Sequence, residues 1–586
     1  MSQTKEKDNN LYRKLFIQLV GTNLLVNMVQ PLNQIIDTIL TGRGLGANAL
    51  EAYALFLPVN SFMIAMSCLF SKGNQISCAH LIGRGKAESA KRMASTAFGA
   101  VLFLTVIFTF VLAVFSSQIA MLIGASPDVE NQIRDTAKYI KCYAFGIPAA
   151  VFLDVLMCLM QLEGKRIIVV VSSVCVLVMN IAGDLANIYI FRRGIMGMAC
   201  ATAVANITAF CVMLIYFCKK SKLFSFSLRG FHKEDLIQIL KNGAPGLSYY
   251  GSLVVRSVFM NILIITRLDR SVLVSLLVFT NFGILVDVII GGHSDSIVLL
   301  GGVLYGEKDK EEAESLLKFA CKTGAVEMAL IALATAIFSK PIATLFLNEN
   351  DLIYVAFAAQ ALNFAALYLI PDMIACIEKK YIQTIGNGLY TGVTNVLANI
   401  LYTCGSAWIL VIFMGEKGLF LSYTVCFVIA MISNTVYIYF FSGKRFDSDQ
   451  EKILAARITD IKECVKVSEE IYSHCKLHGV DKKRSYLISL FTEELTKNVV
   501  TYGFDGKNDN MIMVKLMVSG DSIALCIKDN CRYFDPTKYY ELVRECDESI
   551  DNGSGLKGFG IRMIMKLSKN VTYMNSLSLN NLKIEV

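Results

Sequence analysis

The sequence has little charge, and it lacks the residue groupings that form disulfides or hold structural metals. Only 18% of its 586 residues are charged, while 54% are hydrophobic, and the mean hydropathy is +0.52. The 17 cysteines include no CxxC pair, and the five histidines form no ligand cluster, unlike a disulfide scaffold or a zinc module. This composition is not that of an ordinary soluble protein, and it predicts a chain that lies in a membrane.

Two further absences narrow the class of protein. No GxxxxGK[ST] phosphate-binding loop is present, which argues against transport driven by a P-loop ATPase motor. The opening, Met1 to Asn10, is polar, and the apolar run that follows is long enough to stay embedded. We therefore expect insertion through uncleaved helices rather than a cleaved signal peptide.

The apolar part of the chain contains an internal repeat with an offset of about 222 residues. The segment 81–88 (LIGRGKAE) returns as 304–311 (LYGEKDKE), and Gln161 returns as Gln383. Repeats that each hold several membrane spans are typical of transporters, whereas a receptor or a simple anchor has no need of two matching halves. We predict a polytopic α-helical membrane protein with two six-helix lobes, over residues 1–222 and 223–445.

Twelve apolar stretches are long enough to cross roughly 30 Å of hydrocarbon. They lie near residues 12–40, 50–71, 94–116, 138–160, 167–191, 195–218, 243–266, 272–304, 319–338, 353–376, 388–413 and 417–441. An even number of spans places both termini on one side, and the excess of flanking Lys and Arg predicts that this side is cytoplasmic. We expect a multi-pass plasma-membrane protein in contact with the lipid bilayer. Most of the net charge of +8 reflects that asymmetry, so no nucleic-acid partner is expected.

Ionisable residues inside the predicted spans point to function, because an unpaired polar group in lipid is unfavourable. Asp37 lies in the first span, and Asn180 and Asp184 lie four residues apart in the fifth, on one helix face. The equivalent positions of the second repeat carry Phe259, Tyr402 and Ser406. The acidic cluster therefore belongs to the first half alone.

These residues resemble the MATE (multidrug and toxic compound extrusion) family over roughly residues 10–445. The resemblance rests on the segments Gln34–Thr38 followed by Gly44–Gly46, Gly83–Lys86 and Asn180–Asp184. Members of that family are twelve-helix antiporters that exchange a small organic, usually cationic, substrate for inward-moving protons or sodium ions. The resemblance implies the same activity here.

One branch of the MATE family resembles the DNA-damage-inducible transporters. In that branch, the first lobe holds a cation site. Carried over to this sequence, that site comprises Asp37, Asn180, Asp184 and Thr202. A pair of buried carboxylates is suited to hold a proton or a sodium ion. The alternative interpretation is that these residues are structural polar groups that hold helices together.

The other large branch of the family places an essential acidic residue in the seventh helix. Here residues 246–265 contain Arg256 and no carboxylate, so a second-lobe sodium site of that kind is not expected. Asp287 and Asp295 in the eighth span are interpreted as polar residues lining a central cavity. A lipid-linked saccharide flippase is another alternative, which the single Arg256 supports weakly.

After Phe441 the composition becomes polar, and residues 446–586 are predicted to form a cytoplasmic domain of the usual size for one core. Helical patterns cover 453–474 and 482–500. Strand-like patterns follow at 511–518, 522–528, 571–574 and 582–586. This order predicts a two-layer α+β sandwich.

Three segments of this domain carry residues suited to nucleotide chemistry. The segment 493–504 includes Glu494 and Asn498 on one helix face, 529–536 follows a strand directly, and 553–561 (GSGLKGFGI) leads into a helix. In this order they are similar to the GHKL ATPases, specifically the anti-sigma-factor serine kinases, over nearly all of residues 450–586.

This second resemblance implies ATP and Mg²⁺ as cofactors. Glu494 would be the general base, Asn498 would hold the magnesium ion, and Asp529 would accept a hydrogen bond from the adenine amino group. A mobile lid that ends at a helix N-terminus would bind the phosphates through Gly553, Gly555, Gly558 and Gly560.

One departure concerns Cys531, which stands where the GHKL family has a glycine two residues after the aspartate. No helix pair with a phosphoacceptor histidine precedes Glu493, so a sensor histidine kinase is not expected. Two hypotheses remain. In the first, the chain is an antiporter with a nucleotide-binding regulatory domain. In the second, it is a membrane-bound serine kinase, acting on a cytoplasmic protein, whose transporter-like half senses a ligand.

Overall fold

The computed structural model describes most of the chain as one helical bundle followed by an α+β domain. The described residues are 2–45, 47–123, 125, 131–225, 231–268, 271–307, 309–346, 352–441, 452–504, 511–519, 522–547, 559–576 and 579–586. Among them, eleven helices are long and apolar enough to cross a membrane, and a bent helix pair makes a twelfth span. The predicted count of twelve spans is confirmed on that reading.

The first half of the bundle contains eight α-helices. They are α1 (Ser2–Leu45), α2 (Ala47–Gly83), α3 (Ala87–Val114), α4 (Ser116–Leu122), α5 (Gln132–Ala144), α6 (Ile147–Leu162), α7 (Arg166–Ala186), which continues as a π-helical turn (Asn187–Phe191), and α8 (Gly194–Lys220). The predicted span 138–160 is not one straight helix, because α5 and α6 meet at 44°. Pro148 in the first turn of α6 has no backbone N–H to continue the hydrogen bonding of α5.

The second half repeats this order, with one continuous helix in place of the bent pair α5 and α6. It contains α9 (Lys233–Arg267), α10 (Ser271–Gly306), α11 (Lys310–Ile337), α12 (Ser339–Phe346), α13 (Leu352–Thr384), α14 (Gly388–Val396), a π-helical stretch (Leu397–Gly405), α15 (Ser406–Met414) and α16 (Glu416–Phe441). Each half thus has a π-helical segment in its fifth span. Such segments widen a helix locally and are frequent near functional sites.

The two halves pack together chiefly through α2, which contacts α9 and α10. The approach is so close that a Cβ at Gly243 would lie 1.9 Å from the Leu69 carbonyl oxygen, and one at Gly83 would lie 2.1 Å from the Val303 carbonyl oxygen. Between these points, Lys72 and Asp295 form an ion pair of 2.9 Å across the two halves. The contacts lie in the last fifteen residues of α2, at the end of the bundle that leads to the C-terminal domain.

The C-terminal domain is a five-stranded antiparallel sheet in the order β1-β2-β3-β5-β4 with helices on one face. Its elements are β1 (Lys452–Ile458), α17 (Ile461–Leu477), α18 (Lys482–Tyr502), β2 (Ile512–Ser519), β3 (Ser522–Asp529), α19 (Pro536–Asp547), α20 (Phe559–Leu567), β4 (Asn570–Ser576) and β5 (Leu579–Glu585). Its core joins Phe491 of α18 and Ile564 of α20 to Leu516 and Leu525 of the sheet. The predicted two-layer class is confirmed.

The prediction of a helix from residue 453 is wrong at its start. Residues Lys452–Ile458 form β1, which pairs antiparallel with β2. The helix begins only after Asp460, whose carboxylate accepts a hydrogen bond of 2.8 Å from the Glu463 N–H. Glu463 in turn accepts one of 2.6 Å from the Thr459 N–H. This reciprocal cap fixes a helix start, and the hydrophobic pattern across residues 453–474 masks it.

The close approach at Gly243 generates a stability prediction. We expect Gly243→Ala to lower the free energy of unfolding by about 2 kcal/mol, because the added methyl group meets the Leu69 carbonyl and forces the halves apart. Thermal unfolding of the purified protein in detergent would measure the loss. Gly251→Ala on the same helix is the matched control, since a Cβ there meets nothing within 4 Å and alanine favours the helix. Equal unfolding temperatures for the two variants would contradict the prediction.

Candidate functional sites

The first-half acidic residues form a cluster between α1 and α7. Asn180 donates a hydrogen bond of 2.7 Å from Nδ2 to Oδ1 of Asp37, and the carboxyl group of Asp184, one turn along α7 from Asn180, is a close neighbour of Asp37. The three residues are 8%, 1% and 0% exposed for Asp37, Asn180 and Asp184. The structure therefore brings together three of the four residues predicted for the cation site.

The cluster has more acceptors than donors. Both carboxylate oxygens of Asp184 and Oδ1 of Asn180 are buried without a hydrogen-bond partner among the described residues. Two buried carboxylates side by side are strongly unfavourable if both are charged and no cation separates them. A proton or a monovalent cation can supply the missing positive charge. The oxygens of the cluster can bind either one.

Thr202, the fourth predicted residue, lies on α8 beside this cluster. The two helices touch here, since a Cβ at Gly183 would lie 2.7 Å from Cβ of Ala201. The Thr202 hydroxyl donates to the carbonyl of Met198, one turn earlier, at 3.2 Å. In the described structure this intrahelical bond engages the hydroxyl, so direct participation of Thr202 in the cluster stays a prediction.

An aromatic wall next to the acidic cluster was not predicted. Tyr53 of α2 packs edge-on against Tyr139 of α5 at 5.8 Å, and Tyr143 stacks near Tyr139 at 6.4 Å. Tyr143 also donates to Asn60 at 2.8 Å. Tyr53 lies close to Asp37 and Asp184. Tyrosines inside apolar spans were the available signal, because each hydroxyl must find a partner in lipid.

Two charged residues of the second half, Arg256 and Asp295, have polar partners. Arg256 donates to Asn399 at 2.8 Å and lies 5.4 Å from the centre of the Tyr423 ring. Asp295 is held by Lys72 of the first half and accepts a 3.4 Å hydrogen bond from Asn27. Asp295 therefore has a structural role, because its ion pair links the two halves. Its role in lining a central cavity stays a prediction.

In the C-terminal domain, α18 carries Glu494 and Asn498 on one face as predicted. Asn498 Nδ2 lies 3.4 Å from Glu494 Oε1. The start of α20 lies directly against them, since a Cβ at Gly560 would lie 2.3 Å from the same oxygen. A side chain at Gly560 would displace the glutamate. The predicted lid residues Gly553, Gly555 and Gly558 lie outside the described residues.

Asp529 ends β3 on the same face of the sheet and is 7% exposed. Its Oδ1 accepts hydrogen bonds from the Cys531 backbone N–H at 3.1 Å and from Asn580 Nδ2 at 2.7 Å. Burial raises the pKa of Asp529 above its ordinary value, and these hydrogen bonds oppose the increase. The carboxylate is thus held in one orientation by its neighbours.

Cys531 does not need the backbone freedom of glycine. Among the described non-glycine residues, positive φ occurs only at Asn131 and Arg192, so Cys531 has a conformation open to any residue. Its side chain lies near the end of α18, where a Cβ at Gly503 would lie 3.0 Å from its sulfur. Burial, with the nearby Asp529 charge, raises the pKa of the thiol to about 12. Cys531 is therefore a neutral packing group.

Asn580 is the residue of this site that sequence reasoning missed. It is 4% exposed. Besides Asp529, its Nδ2 contacts the Arg532 carbonyl at 3.2 Å, and its Oδ1 accepts from the Tyr573 hydroxyl at 2.6 Å. It thereby joins the Asp529 loop to β4 and β5. Only the antiparallel pairing of β3 with β5, which sets Asn580 opposite Asp529, reveals this role.

The membrane part of the chain is a two-lobed bundle of spans with a buried acidic pair, and a helix-and-sheet domain follows it. This architecture defines a polytopic membrane protein of the transporter class with a fused α+β domain. The MatE family model matches residues 23–186 and 252–408, more than half of the chain, and a histidine kinase-like ATPase domain model matches residues 454–584. The chain belongs to the MatE family, and its C-terminal domain is of the histidine kinase-like ATPase type. Both predicted resemblances are confirmed.

Known proteins with similar sequences include a multidrug export protein and a probable multidrug resistance protein. The multidrug export protein MepA of Staphylococcus saprophyticus is 27% identical over 201 residues, which are 34% of this chain and 44% of that protein. The chain thus spans less than half the length of this relative. The probable multidrug resistance protein YoeA of Bacillus subtilis is 22% identical over 367 residues, 61% of this chain and 78% of that protein.

Solved structures support the fold of the bundle. A MOP superfamily transporter from Pyrococcus furiosus superposes with a TM-score of 0.70 at 21% identity, covering 75% of this chain and 97% of that one. A mutant of the Vibrio cholerae MATE transporter VcmN gives a TM-score of 0.70 at 18% identity, covering 75% and 99%. At these identities the likeness establishes the architecture alone.

The hydrogen bond from Asn580 to Asp529 generates a pH prediction. If the Asp529 carboxylate accepts the adenine amino group, nucleotide affinity falls as the pH drops through the raised pKa of Asp529. Asn580→Ala removes a bond that lowers this pKa. We expect the loss of affinity to begin at a higher pH in that variant, with roughly tenfold weaker binding at neutral pH.

Fluorescent-nucleotide titration of the purified full-length protein from pH 5 to 8 would test this. Asn581→Ala, at the neighbouring position on the other face of β5, serves as the control and should keep the wild-type profile. A pH profile that is unchanged in Asn580→Ala would show that Asn580 does not set the ionisation of Asp529.

Proposed function

We propose that this protein is a secondary antiporter that exports small organic compounds in exchange for protons or sodium ions, and that its C-terminal domain binds Mg²⁺-ATP and regulates transport. The observation that carries the first part is the buried Asp37–Asp184 pair, in which neither oxygen of Asp184 has a hydrogen-bond partner among the described residues. We place both termini in the cytoplasm, on the basis of the basic residues that flank the spans.

The acidic pair supports an exchange mechanism. Among the described residues the pair has no ion-pair partner, so it can hold either a coupling ion or a cationic substrate. Occupancy by one disfavours the other because both neutralise the same carboxylates. Asn180 keeps Asp37 oriented through its 2.7 Å hydrogen bond. The rings of Tyr53, Tyr139 and Tyr143 offer apolar faces to an organic cation. The names of the relatives, multidrug export and multidrug resistance proteins, support this substrate class.

The C-terminal site has residues that fit a magnesium nucleotide. Asn498 would hold the ion through its side-chain oxygen while its Nδ2 faces Glu494. The two hydrogen bonds described for Asp529 both go to Oδ1, so Oδ2 is the oxygen for the adenine amino group. Gly560 at the start of α20 lets this helix approach Glu494, where a side chain would displace the carboxylate.

A second candidate function is phosphorylation of a serine on a cytoplasmic protein, with the bundle sensing a ligand. The position of Glu494 beside Asn498 favours it, since a carboxylate next to the metal site can take the proton of an acceptor hydroxyl. Glu494→Gln would distinguish the two functions. It leaves a purely regulatory nucleotide site able to bind ATP and control export, but it abolishes phosphoryl transfer.

We expect Asp184→Asn to abolish cation-coupled export while leaving the protein folded in the membrane. Because Asp184 accepts no described hydrogen bond, the amide removes a buried charge without breaking a contact, and the unfolding temperature should stay equal or rise. Asp37→Asn should abolish export as well. The measurement is substrate efflux from proteoliposomes driven by an imposed proton or sodium gradient.

A purely structural role for the cluster predicts the reverse pattern, namely export retained and stability lost. Unchanged export by both variants at equal expression would overturn the assignment of the ion site. A comparison of proton and sodium gradients in the wild-type protein identifies the coupling ion in the same assay.

For the C-terminal site, we expect Asn498→Ala to remove Mg²⁺-dependent ATP binding, a loss of at least about a hundredfold in affinity, without unfolding the domain. Calorimetric titration with and without Mg²⁺ measures it. Glu493→Gln is the control, because Glu493 is a neighbour on α18 that pairs with Lys497 at 2.5 Å instead of facing the site. Undiminished affinity in folded Asn498→Ala protein would refute the metal role.

A further inference from the structure

The face of the C-terminal sheet opposite its helices lies against the membrane bundle. Side chains alternate along a strand, so Lys515 of β2 and Lys528 of β3 point away from the domain's own core. Met513, Met574 and Leu579 on this outer face belong to one continuous apolar cluster with the bundle helices. An isolated domain would expose these side chains to water.

Two ion pairs fix the outer face to the second half of the bundle. Lys528 Nζ lies 2.5 Å from Glu307 Oε1 and donates to the Tyr12 hydroxyl at 2.8 Å. Lys515 Nζ lies 2.7 Å from Asp309 Oδ2. Burial alone would lower the pKa of Lys528, but Glu307 and Tyr12 raise it above its ordinary value. The lysine is therefore charged, and its desolvation is offset only while its partners stay in place.

The same face touches the equivalent loop of the first half. Glu307 and Asp309 lie between α10 and α11, and the repeat places residues 84–86, between α2 and α3, at the corresponding position. A Cβ at Gly85 would lie 3.3 Å from Lys583 and 3.6 Å from Thr572, which are residues of β5 and β4. One sheet thus contacts the repeat-related loops of both halves.

These loops lie where the halves are closed against each other. A Cβ at Gly306 would lie 2.3 Å from the His80 carbonyl oxygen, His80 Nε2 is 2.6 Å from the Thr384 carbonyl oxygen, and Asn242 donates to Ser77 at 3.0 Å. An opening of the bundle at this end must separate the two loops. The sheet that contacts both of them would then lose one set of contacts.

We propose that the outer face of the C-terminal sheet is a clamp that binds the repeat-related loops of both lobes through Lys515, Lys528 and Lys583 and holds this end of the transporter closed. The proposal rests on the proposed function only in that transport requires this end to open. The docking itself is independent of substrate, coupling ion and nucleotide.

Charge reversal tests the docking. Cys526 lies on the outer face, paired with Lys515 and with Lys583 in the sheet register, and burial raises the pKa of its thiol to about 11. In the full-length protein, we expect Lys528→Glu to speed the reaction of the Cys526 thiol with N-ethylmaleimide at least about tenfold. Mass spectrometry measures the rate of this reaction. The double variant Lys528→Glu/Glu307→Lys should restore protection.

Cys464 is the internal control for folding, because it is fully buried in the domain's own core. If Lys528→Glu unfolds the domain, Cys464 also reacts with N-ethylmaleimide. The milder variants Lys528→Gln and Glu307→Gln are then used in place of Lys528→Glu. Unchanged protection of Cys526 in all three variants, with Cys464 protected throughout, would overturn the docking.

Pulsed electron paramagnetic resonance tests the closure. Glu88 and Glu311 occupy equivalent positions of the two halves. Each is replaced by a ketone-bearing amino acid that takes a spin label. The otherwise wild-type protein should then give one short distance between the two labels. A second, longer distance should appear in Lys528→Glu and vanish in the double variant. An identical distribution in the docked and undocked proteins would refute the clamp. Neither measurement uses export, so failure of the clamp and failure of the antiporter assignment give different results.

Discussion

A charge that is removed from water needs a partner of opposite sign, and this constraint organises most of the molecule. Lys72 has Asp295 across the two halves, and Lys528 has Glu307 across the boundary with the C-terminal domain. Each of these pairs joins two parts of the chain that could otherwise separate. Asp184 departs from the pattern, since both of its oxygens lack a described hydrogen-bond donor. In the proposed function, an incoming cation supplies the positive charge that this buried pair lacks.

Close backbone approach is the second constraint, and it acts at the same end of the bundle as the clamp. Gly243 against Leu69 and Gly83 against Val303 bring main chains into contact without side chains between them. Side-chain contacts lie close by, such as that of His80 with Tyr305, whose ring centres are 4.7 Å apart across the two halves. Polar links such as Lys72–Asp295 add to the stability of the closed end. Polar links are the contacts that protonation, ion binding or domain release can alter.

Much of this was predictable from the sequence, because the signals were local. Span positions follow from hydropathy, and the i, i+4 spacing of Asn180 with Asp184 places both on one face. What sequence reasoning missed depends on tertiary contacts. The hydrophobic pattern of β1 resembles a helix, and its register with β2 exists only in the sheet. Asn580 and the pair of Lys528 with Glu307 join residues far apart in the chain, and no single-sequence pattern links such positions.

The alternation of β3 connects the two roles proposed for the C-terminal domain. Asp529 faces the helices and the proposed nucleotide site, while its neighbour Lys528 faces the bundle and Glu307. Beyond the strand, Tyr533 lies under Lys222 of the segment between the two halves, with Nζ 3.1 Å from the ring centre. The loop that follows Asp529 is therefore held at both ends by the bundle. A rearrangement of this loop around a nucleotide would strain contacts to the transporter, so the nucleotide site and the clamp share one structural element.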